Sequence, residues 1–298
     1  MRAGAPAAGL NETGIRADAR REQSILAGLV SPSFLILGAL LFIPVGWLFW
    51  LSFFEQDGFT VENYTRMLVE PAYISIFVVT FQLSVLVTLL AVLLGYPVAY
   101  MIAMLPPRAA SVCLTLVLIP FWTALLVRTY AWLVLLQRRG VVNALLMKWG
   151  WIEDPLPLVH NFTGTVIGML HIMIPFLVLP LYANMRAISR DYTRAAASLG
   201  ASPVAAFWRV YLPLSIPGLA AGTVMVFVIC LGFYITPQFL GGGRVTTISM
   251  KIQQNVATYF NWGAASSLGV VLFIVTLLVF WGFSRLFPLR RLTEVGGS

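Results

Sequence analysis

The chain has 298 residues, of which 59% are hydrophobic and only 10% charged, with a net charge of +8 and a mean hydropathy of +0.88. Soluble domains keep about a quarter of their residues charged, so this composition excludes a water-soluble globule and demands lipid as the solvent. The basic excess follows the loops and does not gather in one patch, which argues against a nucleic-acid surface.

In chain order, residues 1–24 read as an Ala/Gly-rich tail, disordered and cytoplasmic. Six apolar segments follow, at about 25–53, 73–104, 109–136, 163–185, 215–240 and 263–287. Each is long enough to cross the hydrocarbon as a helix, and none contains Asp or Glu. The first is too long for a signal-peptide core and is read as a retained helix. Leu105-Pro106-Pro107-Arg108 forces a tight antiparallel pair between the second and third spans. The longer 137–162 segment faces outward and carries a short interfacial helix near 141–149. A helical membrane domain thus covers 25–288, with a cytoplasmic tail expected at 289–298.

Orientation follows from Lys and Arg. With the N-terminus inside, twelve basic residues fall on the cytoplasmic side and seven on the outer side or at helix ends, so both termini are expected in the cytoplasm. The only lysines, Lys148 and Lys251, are followed by Trp149 and Ile252, so neither sits in a phosphate-binding Gly-Lys-Ser/Thr loop. Two histidines, His160 and His171, and two cysteines, Cys113 and Cys230, form no metal-ligand spacing. No catalytic residue, cofactor or metal is expected.

The informative stretch lies between the fourth and fifth spans, at about 187–213. Asp191 is placed to cap a short Ala-rich helix over 193–199, and Gly200 supplies the left-handed residue that ends it. Ser202 and Pro203 start a second helix as cap and first residue. Val204, Phe207, Val210 and Tyr211 then form its apolar face. Pro213 and Pro217 are expected to break the run where the fifth span begins. The small side chains of the first helix let another protein's groove approach its backbone closely.

This stretch resembles the cytoplasmic "EAA" loop of ATP-binding-cassette (ABC) importer permeases. Ala195 and Ala196 match its alanines, Gly200 follows after three intervening residues, and Val210-x-Leu212-Pro213 begins after nine more. Arg194 stands where glutamate is usual. Elsewhere Leu94-Gly95-Tyr96-Pro97, Pro120-Phe121-Trp122-Thr123, Leu126-Val127-Arg128-Thr129-Tyr130-Ala131-Trp132 and Leu240-Gly241-Gly242-Gly243 are similar to the spermidine/putrescine permease subfamily.

The resemblance implies an all-α membrane protein of the bacterial inner membrane, with six transmembrane helices in the type I ABC importer permease fold. It also implies a coupling helix between the fourth and fifth spans. Arg194, Ala195, Ala196, Leu199, Gly200, Ala201, Leu212 and Pro213 would then meet the ATPase. Implied partners are two cytoplasmic ABC ATPase subunits, a second permease and a periplasmic binding protein that delivers a small organic solute, a polyamine being favoured.

From their positions in the spans, Phe121, Trp122, Arg128, Trp132, Tyr234 and Gln238 are candidates for the substrate path. Arg128 has a second reading, as a side chain that snorkels outward and stacks on Trp132. His171 is placed to donate to a carbonyl freed by Pro175. A stand-alone secondary transporter would show intramembrane acids or inverted repeats. An intramembrane serine enzyme would need a serine within reach of His160 or His171. The sequence displays neither pattern.

Overall fold

The computed structural model describes residues 12–55 and 58–286. The expected tail at 289–298 and the first eleven residues of the tail at 1–24 lie outside these. Residues 12–24 are helical, because the first helix, α1, runs over Glu12–Phe53. A two-residue hairpin pairs Phe54 with Phe59 and Glu55 with Gly58. It leads into a short helix α2 (Glu62–Val69), whose Arg66 bridges Glu62 at 2.6 Å.

The helix α3 (Pro71–Met104) is the longest buried rod. The expected single third span is instead two pieces. Helix α4 (Pro107–Leu118) passes through a 3₁₀ turn at Ile119–Trp122 and stops, and α5 (Leu125–Leu136) resumes in a new direction. The axes before and after the break differ by 94°. Pro120 removes a ladder donor and Thr123 is extended, which together end the helix. A short helix α6 forms at Val141–Lys148, where the sequence predicts one near 141–149.

Helix α7 (Phe162–Ala187) opens with Asn161, whose side chain accepts from the Gly164 amide at 2.8 Å. Helices α8 (Arg190–Ser198) and α9 (Pro203–Ala206) form a hairpin. The chain then stays helical through a π turn at Phe207–Tyr211 into α10 (Leu212–Leu231). Pro213 therefore does not break the run: the helix continues through it directly after the π turn, and Pro217 also lies inside α10. The expected fifth span is also interrupted: α10 ends at Gly232, and α11 (Ile235–Leu240) is a separate piece. A helix absent from the sequence reading, α12 (Ile248–Ala257), precedes the last one, α13 (Trp262–Leu286). Five helices are long and apolar enough to cross a membrane, or six if the bent α4–α5 pair counts as one span.

The core is built where α3, α7 and α10 meet. Leu83, Val87 and Ala91 of α3 face Met169, Met173 and Leu177 of α7 and Val226 and Cys230 of α10. A second cluster joins Ala99, Ile102 and Ala103 to Val178, Leu181, Met185 and Tyr211. Between α7 and α10 the contact is backbone-close: a Cβ at Gly222 would lie 3.0 Å from the Leu177 carbonyl oxygen, and one at Gly218 would strike Asn184. Gly218 and Gly222 form a small-xxx-small pair, the pattern that lets helices approach in lipid, where apolar burial alone gives no drive. Helix α12 is fixed at its start by α3, since the Ile248 amide donates to Thr80 Oγ1 at 3.0 Å.

Candidate functional site: the α8–α9 hairpin and the broken spans

Local sequence chemistry accounts for the hairpin bond by bond. Ser189, not Asp191, caps α8: its hydroxyl accepts from the Asp191 amide at 3.2 Å and donates to the Asp191 carboxylate at 3.0 Å. Asp191 sits in the first turn, where its charge suits the helix dipole. At the other end Gly200 has φ +85°. Its amide bonds Ala197 O at 2.9 Å, and the Ala201 amide bonds Ala196 O at 3.0 Å. This pair of bonds is a Schellman closure, which requires the left-handed residue that glycine supplies without strain. Ser202 then caps α9 by accepting from the Ala205 amide at 3.3 Å.

The hairpin presents Ala195, Ala197, Ser198 and Leu199 outward, with Leu199 89% exposed. A leucine held open on a turn that lies outside the spans has no packing role within this chain. Leu212 and Pro213 lie a π turn away at the start of α10. Arg194 pairs with Asp191 at 3.5 Å, and its side chain is 76% exposed. An exposed i,i+3 pair contributes about 0.3–0.5 kcal/mol. Arg194→Ala is therefore expected to leave assembly with a cytoplasmic partner within about twofold, measured by co-purification. A tenfold loss would show that Arg194 makes a contact of its own.

The hairpin is also tied to the membrane helices. Arg186 Nη1 donates to Ala103 O and Leu105 O, both at 3.1 Å, and Arg190 Nη2 donates to Met104 O at 3.1 Å. These are carbonyls that the end of α3 would otherwise leave without an intrahelical partner. The two arginines read from sequence only as a topology signal, yet Arg186 ties the end of α7, and Arg190 the start of α8, to the end of α3.

The candidate path residues lie around the two broken spans. Phe121 packs on Phe176 at 4.8 Å, and Trp122, at the break, is 91% exposed. Tyr234 sits at the second break as the N-cap of α11, and Gln238 lies within α11. The pieces beyond the breaks pack on each other through Thr129 and Thr236, 3.4 Å apart, and Tyr130 and Phe239 at 5.1 Å. Trp132 does not stack on Arg128 but meets His171 edge-on at 5.6 Å. Arg128 Nε and Nη1 are buried without a partner, as is His171 Nδ1, so no carbonyl freed by Pro175 receives that nitrogen. Arg128 is only partly buried, and these spans contain no acid that could pair with it.

Residues 24–291 match the family model for the binding-protein-dependent transport system inner membrane component. The chain belongs to this family. As a member, it is a permease component of a binding-protein-dependent importer. The spermidine/putrescine transport system permease protein PotB of Escherichia coli K12 is 32% identical over 255 residues, which cover 82% of this chain and 92% of PotB. PotB of Haemophilus influenzae is 32% identical over 239 residues, covering 77% and 83%. The inner membrane ABC transporter permease protein YdcU of E. coli K12 is 30% identical, covering 83% and 87%. Among solved structures, a bacterial alginate ABC transporter in complex with its alginate pentasaccharide-bound periplasmic protein matches with a TM-score of 0.76 at 18% identity. The match covers 93% of this chain and 98% of that one. The chain therefore shares its overall fold with that permease over nearly its whole length.

Proposed function

We propose that this chain is one of two permease subunits of an ATP-driven polyamine importer, with six spans and both termini in the cytoplasm. The α8–α9 hairpin is its docking element for the ATPase subunits. The observation that carries this reading is the hairpin itself, a capped helix of small residues closed by Gly200 and tipped by an exposed Leu199. It stands where the family motif falls in the sequence. The polyamine assignment rests on the likeness to the PotB proteins. ATP turnover belongs to the partner subunits, because neither lysine of this chain is part of a phosphate-binding loop.

Phe121, Trp122, Arg128, Trp132, Tyr234 and Gln238 are proposed to border the path. Non-helical backbone at membrane depth is tolerated where protein or a cavity satisfies it, and both interruptions lie beside these residues. Aromatic faces and carbonyls freed at helix ends can pass an ammonium group without carboxylates. The second permease then supplies the acid that Arg128 lacks.

Reconstitution with the second permease, the ATPases and the binding protein tests the reading. Uptake of labelled spermidine or putrescine should require ATP and the loaded binding protein, and ATP turnover should rise several-fold when that protein is added. Uptake without the ATPases would overturn the energy assignment, and stimulation by a solute other than a polyamine would reassign the cargo. Orientation has its own measurement. A reporter that matures only outside the cytoplasm, fused after Ser298, should stay dark, and a bright reporter would overturn the six-span topology.

A further inference from the structure

Between α8 and the ends of α3 and α7 lies an open-sided pocket of about 830 Å³. Arg186, Arg190 and Arg194 line it, with Met104, Phe207 and the Tyr211 ring as its apolar lining. Its charge is poorly balanced. Arg186 and Arg190 bond only carbonyl oxygens, which fix the guanidinium groups without neutralising them. Asp191, the nearby carboxylate, is spent on exposed Arg194 and is absent from the lining. A second observation is independent of the arginines. Tyr211 is 4% exposed, and its hydroxyl is buried with no hydrogen-bond partner. Such a hydroxyl normally finds an acceptor.

We propose that this cavity binds a phosphate-type anion presented by a phospholipid headgroup. Phosphate oxygens accept charge-assisted bonds from guanidinium forks and from a hydroxyl. Basic pockets between membrane helices at the cytoplasmic face suit anionic lipids. The position also fits, because the cavity opens where α3 and α7 end, the level of headgroups for these two spans. Its methionine and aromatic wall gives the first methylenes of a lipid an apolar surface, which a free phosphate would not use. The inference rests on the cytoplasmic placement proposed for the hairpin. It does not need the hairpin to dock an ATPase.

The test uses the assembled importer in nanodiscs of phosphatidylcholine, with or without added phosphatidylglycerol. Lipid retention is read by native mass spectrometry and amide exchange over 186–211, without nucleotide or cargo. Phosphatidylglycerol should be retained and should slow exchange in that segment. Arg190→Gln should weaken retention of one such lipid about tenfold, and Tyr211→Phe roughly fivefold with no change of charge. Arg108→Gln, a basic residue outside the lining, should leave it unchanged. Equal losses from Arg108→Gln and Arg190→Gln would reduce the effect to general attraction and overturn the site. Protection by inorganic phosphate in phosphatidylcholine alone would assign it to a soluble anion and overturn the lipid. No preference for phosphatidylglycerol would overturn the lipid, and no protection by either anion would overturn the site. If the hairpin fails to couple ATP turnover, retention is still expected, so the two failures are distinguishable.

Discussion

Gly200→Val should abolish binding-protein-stimulated ATP turnover and transport while leaving the amount of protein in the membrane unchanged. The cause is conformational and not steric, since a Cβ at Gly200 meets nothing within 4 Å. At φ +85° an L-residue is strained by about 1–2 kcal/mol, and a β-branched one by more. Relaxing that strain breaks the bonds from Gly200 and Ala201 back to Ala197 and Ala196, so α8 turns away from α9. Gly200→Asn is the control, because asparagine tolerates the left-handed region, and it should keep most of the activity. Full transport by the valine variant would show that the turn is not needed for coupling.

Gly222→Val should act on the fold itself. Its Cβ would sit 3.0 Å from the Leu177 carbonyl oxygen and 3.3 Å from its Cα, which are backbone atoms that cannot rotate aside. The valine methyls add to this, so α10 must lift from α7. Overpacking of this kind costs about 1–3 kcal/mol, and here it opens the cluster around Met173, Leu177 and Val226. A lower midpoint of thermal unfolding in detergent and faster proteolysis are expected. Gly222→Ala should be milder, and Gly282→Val in α13, where a Cβ has open space, should be neutral. Equal midpoints for Gly222→Val and Gly282→Val would show that the close approach contributes nothing to stability.

Much of this architecture was legible before any coordinates. Uninterrupted apolar length revealed the buried rods α3 and α7 and the last span α13, and the Ala-Ala, Gly and Leu-Pro spacing located the hairpin with its turn at Gly200. What escaped was local competition inside apolar runs. Pro120 lies within the third run and signals a stop, yet hydropathy stays high across it, so the break at Trp122 vanished into one span. Gly232 does the same in the fifth. Helices α2 and α12 are short and mixed in polarity, and tertiary contacts such as Thr80 with Ile248 hold them. Ser189 outcompeted Asp191 as the cap because helix geometry begins at Arg190. The Gly218–Gly222 spacing was available as a signal of close packing. The unpartnered state of Arg128 was not, since only the fold shows which nitrogens are buried.

The rod α3 has a mechanical consequence. Its 34 residues make a bar about 50 Å long. The Arg186 and Arg190 bonds grip it near Met104, and Thr80 holds α12 at the opposite end. Those two attachment points lie 24 residues apart along one helix, on the order of 36 Å. Were α3 to move as one body, a displacement at the Met104 grip would reach α12 as a tilt of this single helix. Pro97 lies between the two grips, where the bar lacks one ladder bond and can flex.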